Sequence, residues 1–595
     1  MKKFFFVAIT SVCLTSSLLG QRISDNAITV IDKAVTDELQ RSKEQLKLNG
    51  LIDPFFISYT VTDNNRLDIN ASFGALTRSA YNHQRQLNLR LLINNYQLND
   101  ENFDGGGGGI FGGGNQMDLS LPLDDDYNTI RRAFWLATDD LFKGANETFT
   151  KKKAALERKQ MTDEDRDLPD FAKAPKVEIS EPPIDVTLDK AKLEKLIRDI
   201  SAVFIQFKPI QNSNVSLSFN NTYEFLKNTE GTNIRKPMTT CDLTVQASAQ
   251  AADDGEPLSL AFTLSAANPD DLPSPKDLLD RTEKLAHDLV TLTTAPKFGE
   301  NEYTGPVLFE GDAGSDFFSD QVLSKLSAQR EDVLGGGSVF SLVSKGASFQ
   351  KKINTRILPV SITIKDEPLL KSKVKSSYLG NYSVDEEGVV PTEMTLVENG
   401  ILKTLYMSRT PTKEVKEPNG HSRPLSGGIG AGSSPGPGIV EITDKKALKS
   451  ADLRKELLKR AKENGYEFAF IVRSMQKGTL LFSEGMSNFG DMLESGKSLS
   501  PSLLYKVSVK DGSETPIRGV EISIPTTRDL REILTSKEIV TKNMGLSSGS
   551  GGGFFSSGAK VPATLIASEM ILVPELEVHK KKTSANPTKP VVEKP

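Results

Sequence analysis

Two cysteines and four histidines are all that 595 residues carry, and this scarcity does most to limit what the chain can fold into. A disulfide scaffold, a Cys/His zinc framework and an iron–sulfur protein are excluded together. Order must come from apolar cores, and the length allows two to four domains at roughly 100–200 residues each. Hydrophobic residues make up 37% of the chain, low for a compact protein but above what a disordered one shows. The formal net charge of −5 gives no global basic footprint, so no nucleic-acid partner is expected.

Residues 1–20 read as a secretory signal. Lys2 and Lys3 form its positive start, Phe4–Val12 its apolar core, and Ser16–Gly20 offers small residues for cleavage. The apolar run is too short, and too interrupted by Thr and Ser, for a membrane span. A lipoprotein signal needs a leucine three residues before Cys13, where Thr10 stands. The expectation is cleavage near Gly20 and an exported protein, periplasmic or extracellular, with no membrane span after signal removal. Cys241 is then the only thiol. It could be a nucleophile or a ligand, but no His lies near it in sequence, and a small buried residue opening the Asp242–Ala247 strand pattern is the simpler reading.

Periodicity predicts helices over 28–47, Asp124–Lys153, Leu188–Val203 (Thr187 as N-cap) and from Pro275, where Ser274-Pro275 and Asp277 satisfy and charge the first turn. Strands are predicted at Phe55–Thr62, Leu87–Ile93, Asn214–Asn220 and Leu258–Leu264. The glycine-rich stretch at 105–114 reads as a surface loop, since it lacks the Lys and Ser/Thr of a P-loop. Met161–Glu181 reads as an exposed, charged, Pro-rich connection. From about Asn301 the pattern turns to β segments: Val307–Phe309, Arg356–Ile364, Met394–Val397, Phe468–Ser474, Tyr505–Lys510 and Thr564–Leu572, with one helix at Ala451–Glu463. The tail from His579 to 595 has no pattern and reads as disordered.

The common catalytic constellations fail. No His-Glu-x-x-His occurs, and two Gly-x-Ser-x-Gly matches (432–436, 545–549) lie in Gly/Ser-rich loops without the strand and helix that a nucleophile elbow needs. His83 and His287 read as solvated. His421, in a polar turn that could face a cleft, is the best histidine available. Glu310, Asp312 and Asp316 cluster after a strand and could form a hard-cation site or supply a general base, or could simply complement a helix N-terminus.

Tyr303–Phe318 (YTGPVLFEGDAGSDFF) resembles the opening of the C-terminal domain of TldD/PmbA proteins, a family of gyrase modulators and peptide-processing metallopeptidases. Tyr382–Val390, Leu396–Lys403, Ser408-Arg409 with Asn419–Arg423, Tyr505–Gly512 and Ile517–Gly519 agree with it in order, and Asn228–Arg235 is similar to the family's Ser-Glu-Gly-Thr segment. The resemblance implies an α+β chain, with an N-terminal α/β sandwich-like domain over 21–300 and a β-rich TldD/PmbA-type C-terminal domain over 301–578. Active family members carry His-Glu-x-x-x-His on a helix and a later cysteine as zinc ligands. Aligned on Val307-Leu308, Phe309 and Gly314 replace the histidines, Glu310 keeps the glutamate, and no cysteine follows Cys241.

In this the chain resembles the PmbA/TldE side of the family, whose members lack the motif and pair with an active partner. The implied function is a non-catalytic subunit or homologue that binds extended peptides or unfolded-protein segments. It would work as a homo-oligomer, or as a hetero-oligomer with a TldD-like catalytic subunit, with no cofactor of its own. The alternative is a peptidase with a rebuilt, carboxylate-based metal site (zinc) on Glu310, Asp312 and Asp316, aided by His421 or Cys241. An exported scaffold without peptide chemistry is a third, plainer expectation.

Overall fold

The computed structural model describes residues 22–104, 116–158, 162–300, 302–331, 333–334, 348–369, 378–425, 433–476, 498–547 and 560–581. Residues 1–20, where a signal is expected, the glycine-rich stretch at 105–114 and the residues beyond 581 lie outside them. The chain is mixed α+β, with a β-rich C-terminal half.

The N-terminal half is built on one seven-stranded sheet. Its strands are β1 (Pro54–Ser72), β2 (Ala75–Ile93), β4 (Gln116–Ser120), β5 (Glu178–Ser180), β6 (Ile210–Asn228), β7 (Asn233–Gln250) and β8 (Pro257–Ala266); a short β3 (Phe103–Asp104) pairs instead with Val333–Leu334. The spatial order is β4-β2-β1-β6-β7, and both β5 and β8 pair with β7. β1, β2, β6 and β7 are 18 or 19 residues long, far beyond the short runs expected from sequence. The β1–β2 hairpin explains the difference. Ser72 pairs with Ala75 across a two-residue turn, Phe73-Gly74, with φ of 45° and 81°, so both central residues have the positive φ of a tight hairpin turn. Phenylalanine is an unusual occupant of that position, which hid the turn.

One face of this sheet carries all the long helices of the half. α1 (Asp25–Gln45) and α2 (Tyr127–Arg158) cover Ile57, Tyr59, Val61, Leu87, Leu89 and Phe225. Further along the same strands α4 (Lys190–Ala202) and α5 (Pro275–Thr293) cover Leu67, Ile69, Leu217, Leu243 and Leu260. These β1 positions share parity, so they lie on one side of a pleated strand. Ser274 caps α5 through the Asp277 N–H, with Pro275 opening the helix, as expected. α4 begins later than expected: Asp189, not Thr187, accepts the Lys192 N–H. A short α3 (Asp163–Asp167) precedes Leu168, Asp170 and Phe171, all buried. The 161–181 connection is therefore not simply exposed; Asp170 is held inside by Lys152 at 2.6 Å.

The C-terminal half stacks two sheets. In the six-stranded one the order is Ile401–Leu402, Met394–Glu398, Ile362–Asp366, Ile439–Asp444, Lys560–Ser568, Ile539–Ser547. In the eight-stranded one β9 (Glu302–Glu310) is central, between Met570–Lys580 (antiparallel) and Phe468–Met475 (parallel). Val307 and Phe309 of β9 face the core between the sheets with Ile364, Leu396 and Leu565. Leu308 faces the other way, under Leu453 and Leu457 of the Ser450–Glu463 helix.

Three expected elements change here. The apolar run at Thr564–Leu572 is two strands broken at Glu569, because the chain passes from one sheet to the other. The Arg356–Ile364 strand starts only at Ile362, although Ile357 and Leu358 are buried. His579 belongs to a strand rather than a tail, paired with Glu302 and Glu521.

Candidate functional site

A strand that buries its odd-numbered residues under helices presents its even-numbered ones on the opposite face. On β1 these are Phe56, Ser58, Thr60 and Thr62, and they do not face open solvent. With Asn88 and Arg90 of β2, Thr222 and Glu224 of β6, and Met238 of β7, they form one wall of a cleft. The opposite wall comes from the C-terminal half: Glu386, Glu387, Arg409, Pro424, Leu425 and Ser433, joined by Phe171. The enclosed space is about 170 Å³. Hydroxyls in a row, apolar side chains and charged groups line it together, the mixture expected of a ligand site.

Three of the segments that carried the resemblance, Asn228–Arg235, Tyr382–Val390 and Ser408-Arg409, meet at this cleft. The β6–β7 turn is shaped by Asn228, whose Oδ1 accepts from the Glu230 and Thr232 N–H groups, and it presents Glu230 toward the C-terminal half. Arg409, fully buried, donates to both Glu230 oxygens at 2.7 Å and to the Ala172 carbonyl at 2.7 and 2.9 Å. Its guanidinium lies over the Phe171 ring at 4.1 Å. Arg90 donates to Glu101 at 2.6 and 2.8 Å and to Glu387 at 2.5 Å. Lys236 Nζ stands 2.9 Å from Glu386 Oε1 and 3.3 Å from Glu224 Oε1.

Burial, and then the adjacent Glu386 charge, push Glu224 well above the usual carboxylate range. Burial, the largest single influence, also opposes ionisation of Glu386, yet attraction to Lys236, hydrogen bonds with Glu224 and Lys236 and the Arg423 charge together outweigh it and hold this carboxyl below its ordinary value. The pair can hold one proton between them. Behind the wall, burial and then the Glu387 charge push Asp385 up to about 7, against the Val389, Ser422 and Glu387 N–H groups that it accepts.

The site residues expected from sequence lie elsewhere. His421 does not face the cleft: it is fully buried, with Nδ1 2.9 Å from the Asn419 carbonyl. Its Nε2 lies 3.8 Å from Asp366 Oδ1, and neither atom has a hydrogen-bond partner. Glu310 is not a metal ligand in waiting, because Arg454 and Arg473 bind its two oxygens at 2.6 and 2.5 Å. Asp312, at the start of α6 (Asp312–Gln321), is taken by Arg281 at 2.6 Å and Lys542 at 2.9 Å, while Asp316 is buried one turn further on. Of the three carboxylates expected to hold a metal, Glu310 and Asp312 therefore stand in two separate salt-bridge clusters. Among the described residues no group of three His, Cys, Asp or Glu side chains could hold a metal ion.

The positions matched to the zinc histidines are structural too. Phe309 is the last residue but one of strand β9 rather than lying on a helix, packed 4.8 Å from the Phe317 ring. Gly314 is pressed against a distant segment of the same chain, so that a Cβ there would stand 2.4 Å from the Glu569 carbonyl oxygen. No register rescues the motif, because the four histidines stand at 83, 287, 421 and 579, nowhere five residues apart. The donor set does not fit the family's zinc. Cys241 is a fully buried core residue of β7 whose thiol burial pushes far above its usual range. His83 is not simply solvated, since its Nε2 lies 3.0 Å from both Asp63 oxygens; His287 is exposed, as expected.

Residues 301–570 match the PmbA/TldA metallopeptidase C-terminal domain. A metalloprotease of Methanothermobacter thermautotrophicus is 36% identical over 98 residues, 16% of this chain and 20% of that protein; the chain thus spans about a fifth of that relative's length. Three solved structures share the fold. A candidate modulator of a DNA gyrase from Thermotoga maritima superposes with a TM-score of 0.56 at 16% identity, over 92% of this chain and 99% of the other. TldE from Thermococcus kodakarensis gives 0.55 at 12% identity, over 92% and 99%. A candidate modulator of DNA gyrase from Bacteroides thetaiotaomicron gives 0.52 at 12%, over 92% and 98%.

Proposed function

Through its C-terminal half the chain belongs to the TldD/PmbA family, and from that premise we propose that it is a non-catalytic, peptide-binding homologue that works with an active partner. The observation that carries this reading is the cleft between the two halves. It is lined by Ser58, Thr60, Thr62, Thr222 and Asn88, side chains suited to hydrogen-bond a peptide backbone, and by Phe56, Phe171, Met238 and Leu425, suited to side chains. The positions matched to the family's zinc ligands are meanwhile given over to packing and salt bridges. An extended peptide or unfolded segment would lie across the sheet face, held but not cut, for a TldD-like catalytic subunit. The protein would meet its clients outside the cytoplasm, after removal of residues 1–20. Among the described residues no helix is long and apolar enough to cross a membrane.

The experiment is photo-crosslinking with a benzophenone-bearing extended peptide, followed by mapping of the adducts. Adducts at Met238, Phe171 or Leu425, competed away by unlabelled peptide, are expected. Adducts scattered over the surface, or none that unlabelled peptide displaces, would remove the cleft from consideration.

A further inference from the structure

Five carboxylates stand in and behind the walls of the cleft, Glu101, Glu224, Glu230, Glu386 and Glu387, against the three cations Arg90, Arg409 and Lys236. The cations are used up. Arg90 spans Glu101 and Glu387, Arg409 is locked to Glu230, and Lys236 is shared by Glu224 and Glu386. The next charges out, Arg423 and Asp385, cancel one another: Arg423 stacks 3.6 Å over the Tyr382 ring and Asp385 accepts backbone N–H groups. Two negative charges remain unmatched if every group ionises, and one while Glu224 keeps its proton. At the same place Glu224 Oε1 is buried and makes no well-formed hydrogen bond; its one cationic neighbour is the Lys236 ammonium at 3.3 Å, which Glu386 holds more closely at 2.9 Å. A buried carboxylate oxygen served only by a shared, distant donor is costly, and a second cationic donor relieves it best.

We propose that the cleft selects an alkylammonium group, a lysine side chain or the N-terminal ammonium of a bound peptide, and seats it against Glu224 beside Glu386. The inference rests on the peptide-binding reading above and adds to it the class of peptide. A space of about 170 Å³, several times the ~30 Å³ share of one water, admits one side chain and no folded partner. An acidic side chain would meet the unmatched negative charge and is rejected. Because Glu224 is held protonated in the free cleft by burial and by Glu386, seating an ammonium ion drives its proton off to solvent. Binding therefore releases about one proton near neutral pH, and affinity rises with pH until Glu224 is already ionised in the free protein.

The test is calorimetric titration of the full chain with blocked tripeptides Ala-X-Ala, X being lysine, norleucine or glutamate, and with unblocked Ala-Ala-Ala amide. Lysine is expected to bind about ten- to a hundredfold more tightly than norleucine, the value of a charge-assisted hydrogen bond, with heats that vary with buffer ionisation enthalpy as one released proton requires. Glu224→Gln should bring the lysine-to-norleucine ratio toward one, with an unchanged melting temperature as the check on folding. Preference for the unblocked peptide instead assigns the site to the N-terminal ammonium. Equal binding of lysine, norleucine and glutamate peptides overturns the charge selection while leaving peptide binding intact. Absence of binding by all four overturns both readings.

Discussion

Arg409 holds the two halves of the molecule together, and replacing it with methionine tests how far that contact carries. The side chain is fully buried, uses both ends of its guanidinium on Glu230 and Ala172, and stacks on Phe171. Removing one partner of a buried ion pair costs about 3–5 kcal/mol, because the other charge stays buried and unpaired. Two features place Arg409→Met at the lower end. Glu230 keeps the Tyr96 hydroxyl at 2.7 Å and is 13% exposed at its side chain, and methionine preserves much of the contact with the aromatic rings. The expected loss is about 3 kcal/mol, a factor of roughly a hundred in the folding equilibrium constant. Urea unfolding followed by fluorescence of Trp135, with Glu230→Gln and the double variant, closes the cycle. A coupling energy of about 2 kcal/mol is expected between the two positions. A loss below about 1 kcal/mol, or strictly additive single changes, would refute the assignment of Arg409–Glu230 as a stabilising interdomain tie.

Other outcomes follow from single residues. Glu310→Gln should cost about 1–2 kcal/mol by denaturant titration, since it weakens bonds to Arg454 and Arg473 that are themselves partly exposed; a gain or loss of bound metal in this variant would contradict its structural role. Burial pushes Asp100 up to about 8, so the folded chain holds this proton more tightly than the unfolded one. Stability from this group is fully present below the unfolded value near pH ~4 and is lost as pH rises through about 8. Asp100→Asn, which cannot ionise, should flatten that part of the profile in thermal melts taken across the range; an unchanged slope would exclude Asp100 as its source. Cys241, buried in β7, should react with a thiol reagent only as fast as the protein unfolds, and rapid labelling of the native chain would show that it is accessible.

Local signals were legible where the sequence itself satisfies an element. Ser274, Pro275 and Asp277 start α5 by their own hydrogen bonds and charge, and the stripe Ile130, Phe134, Ala137 and Leu141 marks α2 because its period is helical. Long-range pairing was not legible. The β1–β2 hairpin turns at a phenylalanine with positive φ, a conformation its side chain gives no reason to predict. The Thr564–Leu572 run is largely apolar because both of its strands are central, and only the polar pair Ser568-Glu569 marks the change of sheet.

The cleft was half visible. Ile57, Tyr59 and Val61 mark one face of β1 by their alternation, while nothing in the sequence says what covers Ser58, Thr60 and Thr62 on the other. What makes them a wall is a second half of the molecule more than 300 residues away along the chain, delivering Glu386, Glu387 and Arg409. The carboxylates near Gly311 drew attention because they lie close together in sequence, whereas Arg281, Arg454, Arg473 and Lys542 that neutralise them come from four distant segments.

The most direct test of a binding protein without its own zinc centre is the zinc content of the purified chain after metal loading and desalting. Near-zero zinc per chain is predicted, with no change on chelation. One tightly held zinc per chain, removed only by a chelator, would contradict it.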